Sequence, residues 1–430
     1  MRRRALPAIV AALAVAACSS STTSQPPPTT ASTTTASTTT ASTTTASTTT
    51  ITTATGSPQQ PALWPTYHRD LARSGAEPSS PPASGVRRQW TSARLDGAIN
   101  AEPLVVGTTV ITATENNTVY ALDAASGVIK WSTHLGSPMA GSDLPCGDID
   151  PSGITSTPVI DAGAGLVFAV AFVKPGTHQL VELALTTGAV RSRRPVDPPG
   201  ANPLEEQQRG ALALAGGQVY VPYGGLFGDC GGFHGYLVSL PESGPGQLGS
   251  WQVPTTKGGG LWSPPGPVID SGGQVLVATG NTESATAFDD GNAVVRLSPA
   301  LRQTDVFAPT NWAELNAGDT DLGSVSPTLL PGGVVFQIGK EGIGYLLDAS
   351  HLGGVGGQRS SAAVCRAAFG GTATSGSVVF VPCRDGLVAL QTSGDRLSTA
   401  WRGPSVAAGS PVVAGGWVWF VDLSGELYGL

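Results

Sequence analysis

Five oxygen-bearing side chains gather in two stretches of this chain: Asp289, Asp290 and Asn292, then Asp319 and Asp321, with Lys340 and Glu341 a short way beyond. Carboxylates and amides are hard donors of the kind calcium takes, so calcium is the metal this group would hold, although the spacing matches no EF-hand loop. An uncompensated cluster of carboxylates repels itself, which requires that either Lys340 or a cation sit among these acids. The same residues could instead line a surface for a protein, peptide or glycan partner. The plainest alternative is that they cap turns while Lys340 pairs with a neighbouring acid. No GxSxG elbow, GxxxxGK[ST] loop or HExxH helix occurs, and His68, His134, His178, His234 and His351 stand far apart. Nucleophilic, nucleotide-loop and zinc chemistry therefore lack their residues, and no catalytic residue is assigned.

Groups so distant in sequence can meet only on a scaffold that returns its loops to one face. The chain has 57 Gly, 34 Pro and only 12% charged residues, a composition that speaks against a helical bundle, and every aromatic residue lies from Trp64 onward. EPLVVGTTVITATENNTVYALDAASGVIKWS (102–132) alternates apolar and polar residues between turns at 107, 115–117 and 123–127, the pattern of four antiparallel strands in a meander. Related units start at 156, 211, 266, 326, 369 and 409. Seven units of about 47 residues each predict an all-β fold, a seven-bladed β-propeller of four-stranded antiparallel blades. The seventh unit runs out after three strands, so VRRQWTSARL (86–95) is expected to pair with it near 416–427 and close the ring. Trp90, Trp131, Trp251 and Trp401 fall at the fourth-strand position, where an aromatic ring covers the gap between blades. The long loops 136–153, 224–234, 280–292 and 308–323 all emerge on one face, and long loops on a rigid scaffold are where binding usually resides.

The repeat TVYALDAASGVIKW (118–131) and the opening segment WPTYHRDLARSG (64–75) resemble the pyrroloquinoline-quinone-like repeat propellers of the quinoprotein alcohol dehydrogenase-like superfamily. The resemblance covers residues 64–430 and implies the fold; the same repeat builds both dehydrogenases and non-enzymatic scaffolds of the outer-membrane assembly machine. Quinoprotein dehydrogenases hold a quinone and calcium at the propeller axis and carry two adjacent cysteines, which this chain lacks. Pyrroloquinoline quinone is accordingly not expected.

The N-terminus reads as export and tethering. Arg2–Arg4 and a 13-residue apolar run (5–17) make a signal peptide too short to span a bilayer. The run ends VAAC and resembles the lipobox of bacterial lipoproteins, with Cys18 as the lipidated residue. Residues 18–63, rich in Ser, Thr and Pro with ASTTT four times in succession, read as a disordered stalk. The lipid would be the only membrane contact, on the outer side of the cytoplasmic membrane. A formal charge of −7, more negative once the leader is removed, excludes nucleic acid as a partner. With Cys18 acylated, four cysteines remain in an oxidising compartment, and the loop assignment favours Cys146 with Cys230 and Cys365 with Cys383 among three pairings. The expected function is a surface-tethered, non-enzymatic binding or scaffold module; the alternative is a quinoprotein-type oxidoreductase.

Overall fold

A computed structural model describes residues 62–430; the signal peptide, Cys18 and nearly all of the stalk lie outside them. Seven sheets follow one another along the chain, the first built from Leu104–Val106, Thr109–Ala113, Thr118–Asp123 and Ile129–His134 in antiparallel order. The same order recurs in the next five blades, the sixth made of Ala373–Ser375, Val378–Cys383, Gly386–Ser393 and Arg396–Arg402. The helices among the described residues are one α-helix, Trp312–Ala317, and two short 3-10 turns.

Burial explains why the units stack. Leu166–Val173 is buried at every position but its first, because adjacent blades cover both of its faces. Ile129–His134, at an outer edge, alternates half-buried and exposed residues. One core cluster joins Ile111 and Val119 of the first blade to Val167 and Val181 of the second. Each such aliphatic side chain stabilises the blade-to-blade contact by about 1.5–3 kcal/mol. The outer tryptophans add a second contact. Trp90 and Trp131 lie flat on Gly127 and Gly188, turn glycines at positive φ with no room for a Cβ under the ring. Their Nε1 atoms donate to Ala124 O at 2.9 Å and Leu185 O at 3.0 Å, the carbonyls three residues before each glycine. Trp251 instead reaches Gln303 at 3.2 Å, and Trp401 stays 37% exposed.

Ring closure differs from the sequence expectation. Residues 86–95 form no strand, and the last blade has Val412–Ala414, Trp417–Val421 and Leu427–Gly429 with Ala76–Glu77 running parallel to its innermost strand. The closing strand is thus N-terminal but lies on the inner edge. The segment 63–77 follows the inner edges of the blades. Leu63–Trp64 pairs with Leu104–Val106. Pro65 O accepts from Ile160 N, Leu71 O from Ile269 N, Ser74 O from Thr374 N and Gly75 O from Val413 N, all within 2.7–2.9 Å. Thr66 Oγ1 donates to Leu212 O at 3.3 Å, so that six of the seven blades are touched. The physical reason is where water reaches: backbone groups buried at the axis must pair with protein, whereas the largely exposed residues 86–95 can be satisfied by solvent.

Inside this strap Arg73 is buried and donates to Thr66 Oγ1 (2.5 Å) and to the carbonyls of Tyr67, Leu212 and Pro267. Burial lowers the Arg73 guanidinium to about 10, opposed by Glu102 and Asp70, and raises the Glu102 carboxyl to about 7. The strap fills the channel from one side.

Candidate functional site

The sequence-nominated residues separate into two groups. Asp319, Asp321 and Lys340 meet: Lys340 Nζ stands 2.6 Å from Asp321 Oδ2 and 3.0 Å from Asp319 Oδ1. Asp321 is nearly buried, and its other oxygen accepts from Asn281 N at 2.6 Å. Lys340 also sits over Trp262, 5.5 Å from the ring centroid. Burial works to lower the Lys340 ammonium, but the charges and hydrogen bonds of Asp321 and Asp319 outweigh it and hold it above its ordinary value. The approach is tight because residue 280 is glycine: a Cβ there would stand 2.9 Å from Asp321 Oδ1 and 3.2 Å from Trp262 Nε1.

Asp289, Asp290 and Asn292 belong to a different network. Asp289 accepts from Thr282 Oγ1 at 2.8 Å and Asp290 from Gln303 Nε2 at 2.7 Å. Asn292 donates to Asn316 Oδ1 at 2.8 Å and accepts from Leu322 N at 2.7 Å, while Asn316 donates to Thr282 Oγ1 and Ser284 O. These bonds stitch loop 280–292 to the helix Trp312–Ala317, and Asp290, Asn292 and Asp319 take positive φ, the conformation Asn and Asp tolerate in turns. Glu341 accepts from Asn311 Nδ2 at 2.7 Å and Tyr345 OH at 3.0 Å. Their hydrogen bonds therefore tie neighbouring loops to one another. The five oxygen donors that one calcium ion would share are not gathered around a point. Among the described residues, the one cluster of three His, Cys, Asp or Glu groups with metal-like spacing is Cys365, Cys383 and Asp385, and its two sulfurs are bonded to each other.

The four long loops that the sequence puts on one face all line the cleft in which Lys340 sits, whereas Gln207, Arg209, Gly260, Trp262 and Phe369 were missed. The cavity measures about 470 Å³. Its walls come from five successive blade-to-blade connections, with Ile149, Arg209, Trp262, Asp319 and Phe369 one from each. Only the mouth of the axial channel is shared by so many blades. The loop 224–234 adds Phe227, Asp229 and Phe233, and the disulfide Cys146–Cys230 clamps that loop to 136–153. Phe227 projects at the rim, 73% exposed. Arg209 and Asp229 make no side-chain hydrogen bond or ion pair among the described residues. Burial raises the Asp229 carboxyl, and the charges of Asp319 and Asp321 raise it further. The glycine-rich flanks of Trp262 (258–260) were the signal in the sequence that backbone approaches closely here.

Against known proteins, residues 83–292 match a family model described as outer membrane protein assembly factor BamB. No curated protein sequence matches the chain. Among solved structures, the chain is similar to quinohemoprotein alcohol dehydrogenase ADHIIG from Pseudomonas putida HK5, with TM-score 0.66 and 14% identity over 85% of this chain and 70% of that one. A europium-containing methanol dehydrogenase gives TM-score 0.64 and 16% identity over 86% of each chain. The quinohemoprotein alcohol dehydrogenase of Comamonas testosteroni gives 0.64 and 14% over 83% and 70%. At such identities the likeness is one of fold.

Proposed function

We propose that this chain, a β-propeller of the pyrroloquinoline-quinone-like repeat superfamily, is a non-enzymatic binding module of the bacterial cell envelope that takes its ligand or partner at the axial cleft. Lipidation at Cys18 and the Ser/Thr stalk would tether it to the outer side of the cytoplasmic membrane. The observation that carries this reading is the rim: a loop held by Cys146–Cys230 presents an exposed Phe227 beside aromatic walls and unpaired charges. A rigidly held, exposed aromatic at a concave site is the usual anchor of recognition.

A quinone–calcium pair needs several oxygen ligands for its metal, and here the ammonium of Lys340 already stands between Asp319 and Asp321. That ion pair speaks against a quinone–calcium pair at these two carboxylates. A photo-reactive amino acid at position 227, in cells, tests the binding reading: adducts with an envelope component are expected, with none from the same probe at Val190 on an outer strand. Absence of adducts at 227 would overturn it. A quinone chromophore retained by protein mixed with quinone and calcium would restore the oxidoreductase.

A further inference from the structure

We propose that the axial cleft receives a zwitterionic ligand, a free amino acid or short peptide with an apolar side chain, its carboxylate on Arg209 and its ammonium on Asp229. This rests on the binding reading above and names the ligand class of the same cleft.

The argument starts from what is left unpaired. Of the charged groups in the walls, Asp321 and Lys340 are matched to each other, with Asp319 on the same ammonium. Arg209 and Asp229 have no such partner, and neither has Asp148, an exposed residue of the loop 136–153. The charge of Arg209 is felt by Glu115, but the oxygens of Glu115 are already taken by Gly153 N, Thr155 Oγ1 and Asn100 Nδ2. A guanidinium presents a planar fork that fits a carboxylate in two places. Burial chiefly, and the charges of Asp319 and Asp321 against those of Lys340 and Lys257, keep the Asp229 carboxyl raised, and an ammonium in direct contact would favour its ionised form.

The two groups do not meet, since no ion pair joins them. A ligand carrying one charge of each sign satisfies both, whereas a singly charged one leaves a partner unmet. In the same cleft Phe227, Trp262 and Phe369 offer ring surface to an apolar side chain. The volume of about 470 Å³ lies in the range of small-molecule sites and holds an amino acid or a short peptide.

Isothermal titration with phenylalanine and alanyl-phenylalanine tests the assignment, with phenethylamine and 3-phenylpropionate as single-charge controls. The zwitterions should bind and each control should bind roughly tenfold weaker or less. Arg209→Ala should weaken the zwitterions and 3-phenylpropionate but spare phenethylamine; Asp229→Asn should do the reverse. Asp229 is exposed and Arg209 half-buried, and an unchanged melting temperature certifies each variant as folded. Controls that bind as well as the zwitterions, or variants that leave all affinities unchanged, would overturn the proposal. No binding by any probe, with cross-linking at 227 intact, removes the ligand class and leaves the binding module standing; loss of both removes both.

Discussion

Glu206 offers a clean perturbation. Its side chain is 2% exposed, Oε1 accepts from His234 N at 3.1 Å, and Oε2 has no partner. Burial, opposed by the His234 hydrogen bond and assisted by Glu205, raises this carboxyl from 4.5 to about 8. Below pH 4.5 both the native and the unfolded chain hold the proton, and stability is unaffected. Between 4.5 and about 8 the unfolded chain releases it while the native state keeps it, so stability falls as pH rises through this window. Each pH unit costs about 1.4 kcal/mol, and the whole window at most about 5 kcal/mol. Glu206→Gln has the shape of the protonated acid and no proton to lose, so its urea midpoint should vary less with pH. Expected in urea unfolding at pH 5, 7 and 9 is a variant near wild type at pH 5 and more stable by several kcal/mol at pH 9. Parallel pH profiles for the two proteins would refute the argument.

Lys340→Ala leaves the nearly buried Asp321 without its cation and should destabilise by about 3 kcal/mol, whereas Asp319→Asn, at an exposed carboxylate, should cost less than about 1 kcal/mol. Calcium should not raise the wild-type melting temperature; a rise that vanished in Asp319→Asn/Asp321→Asn would restore a metal site. Replacing Cys146 and Cys230 together by Ala should lower stability by about 2–4 kcal/mol in thermal unfolding, with an unchanged midpoint counting against the clamp. Cys18→Ala should release the protein from membranes, and unchanged membrane association would sink the lipid anchor.

The blades were legible because each is a local object: alternating strands and turn residues lie within one unit, as at 118–131, and their period survives in a single sequence. Both disulfides could be inferred for the same reason, since loop faces follow from position in the repeat. Closure was less legible. Trp90 has the contact of a fourth-strand tryptophan on Gly127, so its pattern was genuine, but whether a backbone pairs depends on the burial of its peptide groups, which no pattern records. The cleft divides likewise. Lys340 was expected among acids and has Asp319 and Asp321 beside it. Asp229 lies in a loop whose face was legible from its place in the repeat, but Arg209 and Trp262 come from short blade-to-blade connections, and nothing in the sequence marks those two as neighbours.

The strap at 63–77 also orders events in time. Its partners include Ser410, 343 residues away from Tyr67, and the carbonyl of Thr372, 304 residues from His68. A chain made from its N-terminus presents these residues first, and although Leu63–Trp64 can pair with the first blade at once, Tyr67 and His68 lack these two partners until the sixth and seventh blades exist. Contacts of such sequence separation form late and slowly. The earliest part of the domain to leave the ribosome therefore completes its contacts last, while individual blades can already have formed.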